Sequence, residues 1–242
     1  QKHASQTIVT THSPTVAAVP GPHQLVLLAN EAGHLTASPL LSAPLTTDAS
    51  NPRRGLFLSD RTATVTAIMN PAVIIPEGKT DASWLRLLAR VADIAASDES
   101  LVNFTHEIGV IPTHDARIAD VFDDLRVVHP MLTCLVDGDE QGNRYADALV
   151  AKDEPPARVL IWPDGWTIEN VIGWILAADD SILQDPTLAP YGLPEDIEDF
   201  PNFLTERANK GDEVLHGLLA DAASSKPLCC VRIAHLLNTI AS

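Results

Sequence analysis

The sequence predicts an α/β fold: a parallel sheet flanked by helices, followed by a C-terminal helical subdomain. Between residues 72 and 162, short apolar runs alternate with stretches of helical period. The first and third of these runs, 72–76 and 132–137, are almost continuously apolar, as strands covered on both faces are. After Trp162 the strand-like runs stop, and helix-period segments continue to the end of the chain.

Taken in order, residues 1–69 read as irregular. Gln6–Thr11 is β-branched and predicts a short strand running into His12-Ser13-Pro14. Leu25–Leu28 and the stretch from Leu35 predict a hairpin around Gly33. Pro, Ser and Thr are frequent over 36–54, as in loops, so little core is expected from this part. Strand 72–76 then leads to a helix with Trp84, Leu87, Leu88, Val91, Ile94 and Ala95 at helical spacing. A strand near 101–106 and a helix over 114–128, carrying Ile118, Val121, Phe122 and Leu125, follow. Next come strand 132–137, helix 141–152 and strand 158–162. Connections this long imply parallel strands with right-handed crossovers. Helices are expected at 167–178, 196–209, 212–223 and 228–240, separated by turn signals at Pro186, Pro190, Gly192, Gly211 and Pro227.

Composition narrows the function classes. With 242 residues and 45% apolar content, the chain can form one or two domains with a sizeable core. No apolar run approaches the ~20 residues that span a bilayer, so no membrane partner is expected. The start lacks both a secretion-signal pattern and an initiator Met, as expected of a piece of a longer cytoplasmic protein. Cys134, Cys229 and Cys230 build neither a disulfide framework nor a zinc ribbon and read as reduced thiols. A formal charge of −16 argues against a broadly basic nucleic-acid surface and predicts weak DNA affinity for this chain alone. It leaves open a nucleic acid bridged to carboxylates by metal ions.

The chemistry concentrates where strands end. Strand 72–76 runs straight into Glu77-Gly78-Lys79-Thr80-Asp81, and strand 132–137 into Asp137-Gly138-Asp139. In an open parallel sheet, ligands bind beyond the C-terminal strand ends. If the two strands are neighbours, Glu77, Asp81, Asp137 and Asp139 converge. Hard oxygen donors without His or Cys select Mg²⁺ or Mn²⁺ over zinc. Each motif also has a plain reading: Asp81 suits the positive end of a helix dipole, and Asp-Gly-Asp suits a turn.

An apolar strand ending in Glu-Gly, followed later by apolar residues and Asp-x-Asp, resembles the Toprim domain of topoisomerases, bacterial primases and several nucleases. The resemblance covers about residues 70–165 and implies a Rossmann-like sheet. Pro76 departs from the pattern at the position before Glu77. Thr10-Thr11-His12-Ser13-Pro14 resembles the late strand and switch histidine of ABC-type ATPases. That tail ahead of a Toprim domain is similar to the OLD (overcoming lysogenization defect) family of nucleases. The resemblance divides the chain into an ATPase tail and linker at 1–69, a Toprim catalytic domain at 70–165 and a helical subdomain at 166–242. It implies a metal-dependent DNA endonuclease that binds two Mg²⁺ or Mn²⁺ ions, with Ca²⁺ as an inert substitute. Its partners would be DNA and an N-terminal ABC-type ATPase domain. Without a Gly-rich Walker loop, the chain holds no ATP site, and His12 would be a switch remnant.

The same resemblance adds Glu169 as a metal ligand and Lys226 as a lysine returned to the site by the helical subdomain. Glu77 and Lys226 are then the candidate catalytic residues. Lys79 and Arg144, at helix starts, are candidates for holding phosphate. Competing readings are a catalytically silent Toprim scaffold, another Toprim enzyme of the topoisomerase or primase kind, and an Asp-x-Asp phosphotransferase. Only Tyr145 and Tyr191 could serve a topoisomerase, and neither has a persuasive context.

Overall fold

Four strands form the central sheet: β3 (Ala72–Pro76), β4 (Ile108–Val110), β5 (Leu132–Val136) and β6 (Arg158–Ile161). They are parallel and stand in the order β4-β3-β5-β6. The structure, a computed structural model, describes residues 7–45, 51–95, 104–113, 117–208 and 212–241. Ahead of the sheet, β1 (Val26–Glu31) and β2 (His34–Pro39) pair antiparallel around Gly33, as the sequence predicts.

The period-2 alternation of strand side chains divides the core into two layers. Val73 and Ile75 of β3, with Leu132, Cys134 and Val136 of β5, face one layer, while Ile74 and Leu135 face the other. The first layer is completed by α1 (Arg61–Ile68) and by two later helices, Ile118–Leu125 and Glu140–Val150. The opposite layer holds α2 (Lys79–Ala95), whose Ala82, Trp84, Leu85, Leu88 and Val91 are all buried. Numbering on, α3 is Ile118–Leu125, α4 Glu140–Val150, α5 Ile168–Leu176, α6 Phe200–Ala208, α7 Glu213–Ser224 and α8 Pro227–Ala241. Helices α5 to α8 all pack into the layer of α2, so the helical subdomain shares its core with one face of the sheet.

Three expectations are corrected. Residues 1–69 contribute more core than their composition suggests, for Leu40, Leu41, Leu56, Phe57, Val65, Ala67 and Ile68 are all buried. Helix α1 is rich in Thr and Ala, which blurs its helical period, and part of its docking is close backbone approach. A Cβ on Gly109 of β4 would fall 2.0 Å from the Ala67 carbonyl oxygen, so the helix seats there only because residue 109 has no side chain. The strand expected at 101–106 lies later. Phe104–Glu107 is a single helical turn and Ile108–Val110 is the strand, while residues 101–103 are outside the described residues. The strand expected over Gln6–Thr11 is not formed by residues 7–11, and Gln6 is outside the described residues. Ile8 and Val9 are exposed there, and a strand needs a neighbour to pair its backbone groups.

The remaining helices and strands fall within a few residues of their expected places. The helix expected over 114–128 is the shorter Ile118–Leu125, with 114–116 outside the described residues. No helix among the described residues is long and apolar enough to cross a membrane.

Candidate functional site

Strand order decides where a site can be. From β3 the chain passes through α2 to β4 on one side, and from β5 through α4 to β6 on the other. The direction of winding therefore reverses between β3 and β5, and at such a switch a crevice opens beyond the strand ends. The residues that follow those two ends are Glu77 and Asp137. Strands β3 and β5 are direct neighbours, with Pro76 opposite Leu135. The condition for convergence of the carboxylates is met.

The backbone of Asp137 donates to Glu77 Oε2 at 3.0 Å, tying the two strand ends together. Asp81, in the first turn of α2, is buried, and its carboxylate lies over Gly78, where a Cβ would come within 3.3 Å of Oδ2. Asp139 is the N-cap of α4 and accepts from the Gly142 N–H at 2.7 Å. Glu169 opens α5 and accepts from the Thr167 hydroxyl at 2.7 Å. Pro76 disturbs little: β4 ends opposite Ile74, and the Thr113 hydroxyl bonds the Pro76 carbonyl.

Loops join these groups into one edge. Gly138 N–H donates to the Trp166 carbonyl at 2.8 Å, and Gly165 N–H returns to the Gly138 carbonyl at 2.9 Å. The loop after β6 is thereby bound to the loop after β5, which sets Thr167 and Glu169 beside Asp137. A Cβ on Gly138 would lie 1.9 Å from the Pro163 carbonyl oxygen, so this junction requires glycine.

The electrostatics record the crowding. Burial pushes Asp81 up to about 7, and the charges of Glu169 and Glu77 add to the effect. The Trp162 indole faces Asp81 and eases its ionisation slightly, although its N–H does not reach hydrogen-bonding geometry. Asp137 is pushed up to about 8, again by burial first, then by Asp81, Glu77, Asp139 and Glu169. Glu77 is raised by burial and by Asp139, against the opposing bond from the Asp137 N–H. Asp137 Oδ1 is buried without a hydrogen-bond partner. An unpaired buried carboxylate oxygen is costly, and a cation is a natural partner for it. The donor set is all oxygen, as hard divalent ions prefer. As placed, no three His, Cys, Asp or Glu side chains among the described residues form a ready ligand cage, since Glu77, Asp139 and Glu169 each turn to a donor of the protein's own.

The other candidates stand apart. Lys226 donates to Ser181 Oγ at 2.8 Å, close to Asp179 and Asp185. These follow the C-terminal end of α5, whereas Glu169 is in its first turn, so about 12 Å of helix separates the two places. The structure thus brings Lys226 to Ser181, not to the strand-end carboxylates. Lys79 is exposed in the first turn of α2, and Arg144 is exposed and paired with Glu140 one turn earlier. His12 is exposed in a bend where Ser13 N–H donates to Thr11 Oγ1 at 2.9 Å.

Gly138, Thr167 and Trp162 shape the edge without having been singled out in the sequence. Gly138 sits between two aspartates that draw the eye, and Thr167 had a visible signal as the first residue of Thr-x-x-Asn before an apolar run. No family model, curated protein or solved structure matches the chain.

Proposed function

We propose that the chain is a metal-dependent DNA endonuclease module with a Toprim-type site, the nuclease part of an OLD-family ATPase–nuclease. The observation that supports it most is Asp137: a carboxylate at a sheet switch point, with one oxygen buried and unpartnered, surrounded by Glu77, Asp81, Asp139 and Glu169. Carboxyls whose ionisation is made this costly by burial and by one another are common at functional sites.

Asp137, Asp81 and Glu77 would hold the divalent cation, with Asp139 and Glu169 able to join by leaving their local donors. A bound Mg²⁺ or Mn²⁺ supplies charge neutralisation and water activation at a phosphodiester. The bond from the Asp137 backbone to Glu77 and the Gly138–Trp166 pairing fix the strand ends and loops that carry these groups, and the reorganisation left is the turning of Asp139 and Glu169 from their local donors. Hydrolysis would add water to phosphorus and break the P–O bond to the 3′-oxygen, which leaves carrying a proton. Lys226 is not needed by this reading, because Ser181 holds it at the other end of α5.

With a net charge of −16, this chain would need a basic surface supplied from outside it to grip DNA. One observation favours a silent scaffold instead: three of the five carboxylates are satisfied by the protein's own donors. Nicking of supercoiled plasmid with Mg²⁺ or Mn²⁺ separates the two. The endonuclease reading expects cleavage that Asp137→Ala abolishes; no cleavage, or cleavage unchanged by Asp137→Ala, overturns it.

A further inference from the structure

Residues 51–90 hold six of the chain's 16 Lys and Arg residues but three of its 32 Asp and Glu residues. Two of those three acids, Glu77 and Asp81, belong to the candidate site. In a chain of net charge −16, cations are thus concentrated in the stretch that carries part of the strand-end cluster.

Helix α2 arranges three of them. Lys79, Arg86 and Arg90 are exposed. Separations of seven and eleven residues make about two and three helical turns, so the three share one solvent face over about 16 Å. Asp81 is buried on the opposite face. Lys79 stands between Glu77 and Asp81 in the chain, so the line of cations starts at the candidate site and runs away from it.

Arg86 Nη2 donates to the Val110 carbonyl at 2.8 Å. That carbonyl points away from β3, because β4 is an outer strand and the Ile111 N–H, one residue on, bonds the Ile74 carbonyl. The bond fixes the guanidinium beside the sheet and uses one of its five N–H donors. Arg90 pairs with Asp221 of α7 at 2.8 Å, with the two side chains 52% and 68% exposed. A pair so open to water holds weakly, and a phosphate can take the place of Asp221. Past Arg90, Asp93 accepts from the Thr105 hydroxyl and ends the line.

We propose that this face of α2 orients the nucleic acid: the phosphate backbone next to the scissile bond lies along Lys79, Arg86 and Arg90. This deepens the endonuclease reading above and rests on it. One strand of a duplex carries a charge per ~3.4 Å of axis, so about 16 Å of helix face meets about five phosphates. Three cations do not offset a charge of −16, and the grip itself is left to a surface outside the chain. What the line supplies is direction, because a polyanion leaving an acidic edge is steered along the cations beside it.

The test is fluorescence anisotropy of a short labelled DNA duplex at low salt with Ca²⁺, on proteins whose thermal melts match the wild type. Arg86→Gln with Arg90→Gln is compared with Arg117→Gln with Arg126→Gln, which removes the same charge from exposed ion pairs at the two ends of α3. The α2 pair is expected to weaken binding about tenfold and to make the log–log salt dependence shallower by about two, against about twofold or less for the α3 pair. Equal losses in the two pairs, wild-type affinity in the α2 pair, or wild-type protein that binds no DNA overturns the proposal. So does a labelled polyglutamate peptide that binds as tightly as the DNA. Mn²⁺ titration by calorimetry separates the two readings. Wild-type protein that takes up no Mn²⁺ overturns the metal-site reading and this proposal with it, whereas Mn²⁺ uptake with DNA affinity indifferent to Arg86 and Arg90 overturns the α2 path alone.

Discussion

The N–H of Asp137 donates to the side chain of Glu77 at 3.0 Å, across 60 residues of sequence. The bond makes one strand end the support of the other. It also holds a second carboxylate beside Asp137, whose Oδ1 has no partner of its own and whose ionisation Glu77 opposes. Replacing Glu77 with Gln keeps an acceptor for the Asp137 N–H while removing a charge. Glu77→Gln is therefore expected to fold as well as wild type and to lose most of its Mn²⁺ binding, measured by calorimetry beside a urea melt.

Stability should depend on pH in a direction set by the two raised carboxyls. Asp81 and Asp137 titrate near 7 and 8 in the folded chain, against an ordinary 3.8. Between about pH 4 and pH 8 the folded state therefore holds protons that the unfolded chain has released, and stability falls as pH rises through that window. Without divalent ions, Asp81→Asn should exceed wild type by at least the ~1.4 kcal/mol of one pKa unit at pH 8, and by little near pH 4. Urea melts at the two pH values check this. An equal difference at both would contradict it.

Gly138→Ala should disrupt the junction between the loops after β5 and β6. The added carbon would fall on the Pro163 carbonyl, and no side-chain rotation can relieve a clash with backbone. A loss of about 2–4 kcal/mol is expected, with weakened Mn²⁺ binding even in the fraction that folds. Chemical denaturation and a metal titration together measure both effects.

Thr167→Val removes the hydroxyl that Glu169 accepts from, with nearly unchanged volume. Stability should fall by about 1 kcal/mol, as for loss of one part-buried hydrogen bond. A thermal melt measures it.

Lys226→Ala should leave Mn²⁺ binding and any plasmid nicking near wild-type levels, because its amine is bonded to Ser181 beyond the C-terminus of α5. A loss of nicking with intact metal binding would show that the lysine travels to the site after all.

Much of the site was visible in sequence because strand ends are. A buried strand is a short apolar run, and the first carboxylate after it must lie at the sheet edge, so Glu77 and Asp137 could be placed before any pairing was known. Lys226 shows the opposite case. Its position depends on how α8 packs against the end of α5, and an isolated Ser-Lys-Pro holds no information about that packing.

The sequence by itself determined the alternation of strands and helices and the carboxylates at two strand ends, because apolar period and turn chemistry are local properties. Tertiary structure alone decided that β3 and β5 are neighbours, which makes the two motifs one edge. It also decided that α1 belongs to the core, where contact runs through the bare backbone of Gly109, and that Asp137 is left with an unpaired oxygen. Those outcomes depend on which surfaces exclude water together, and residues far apart in the chain set that jointly.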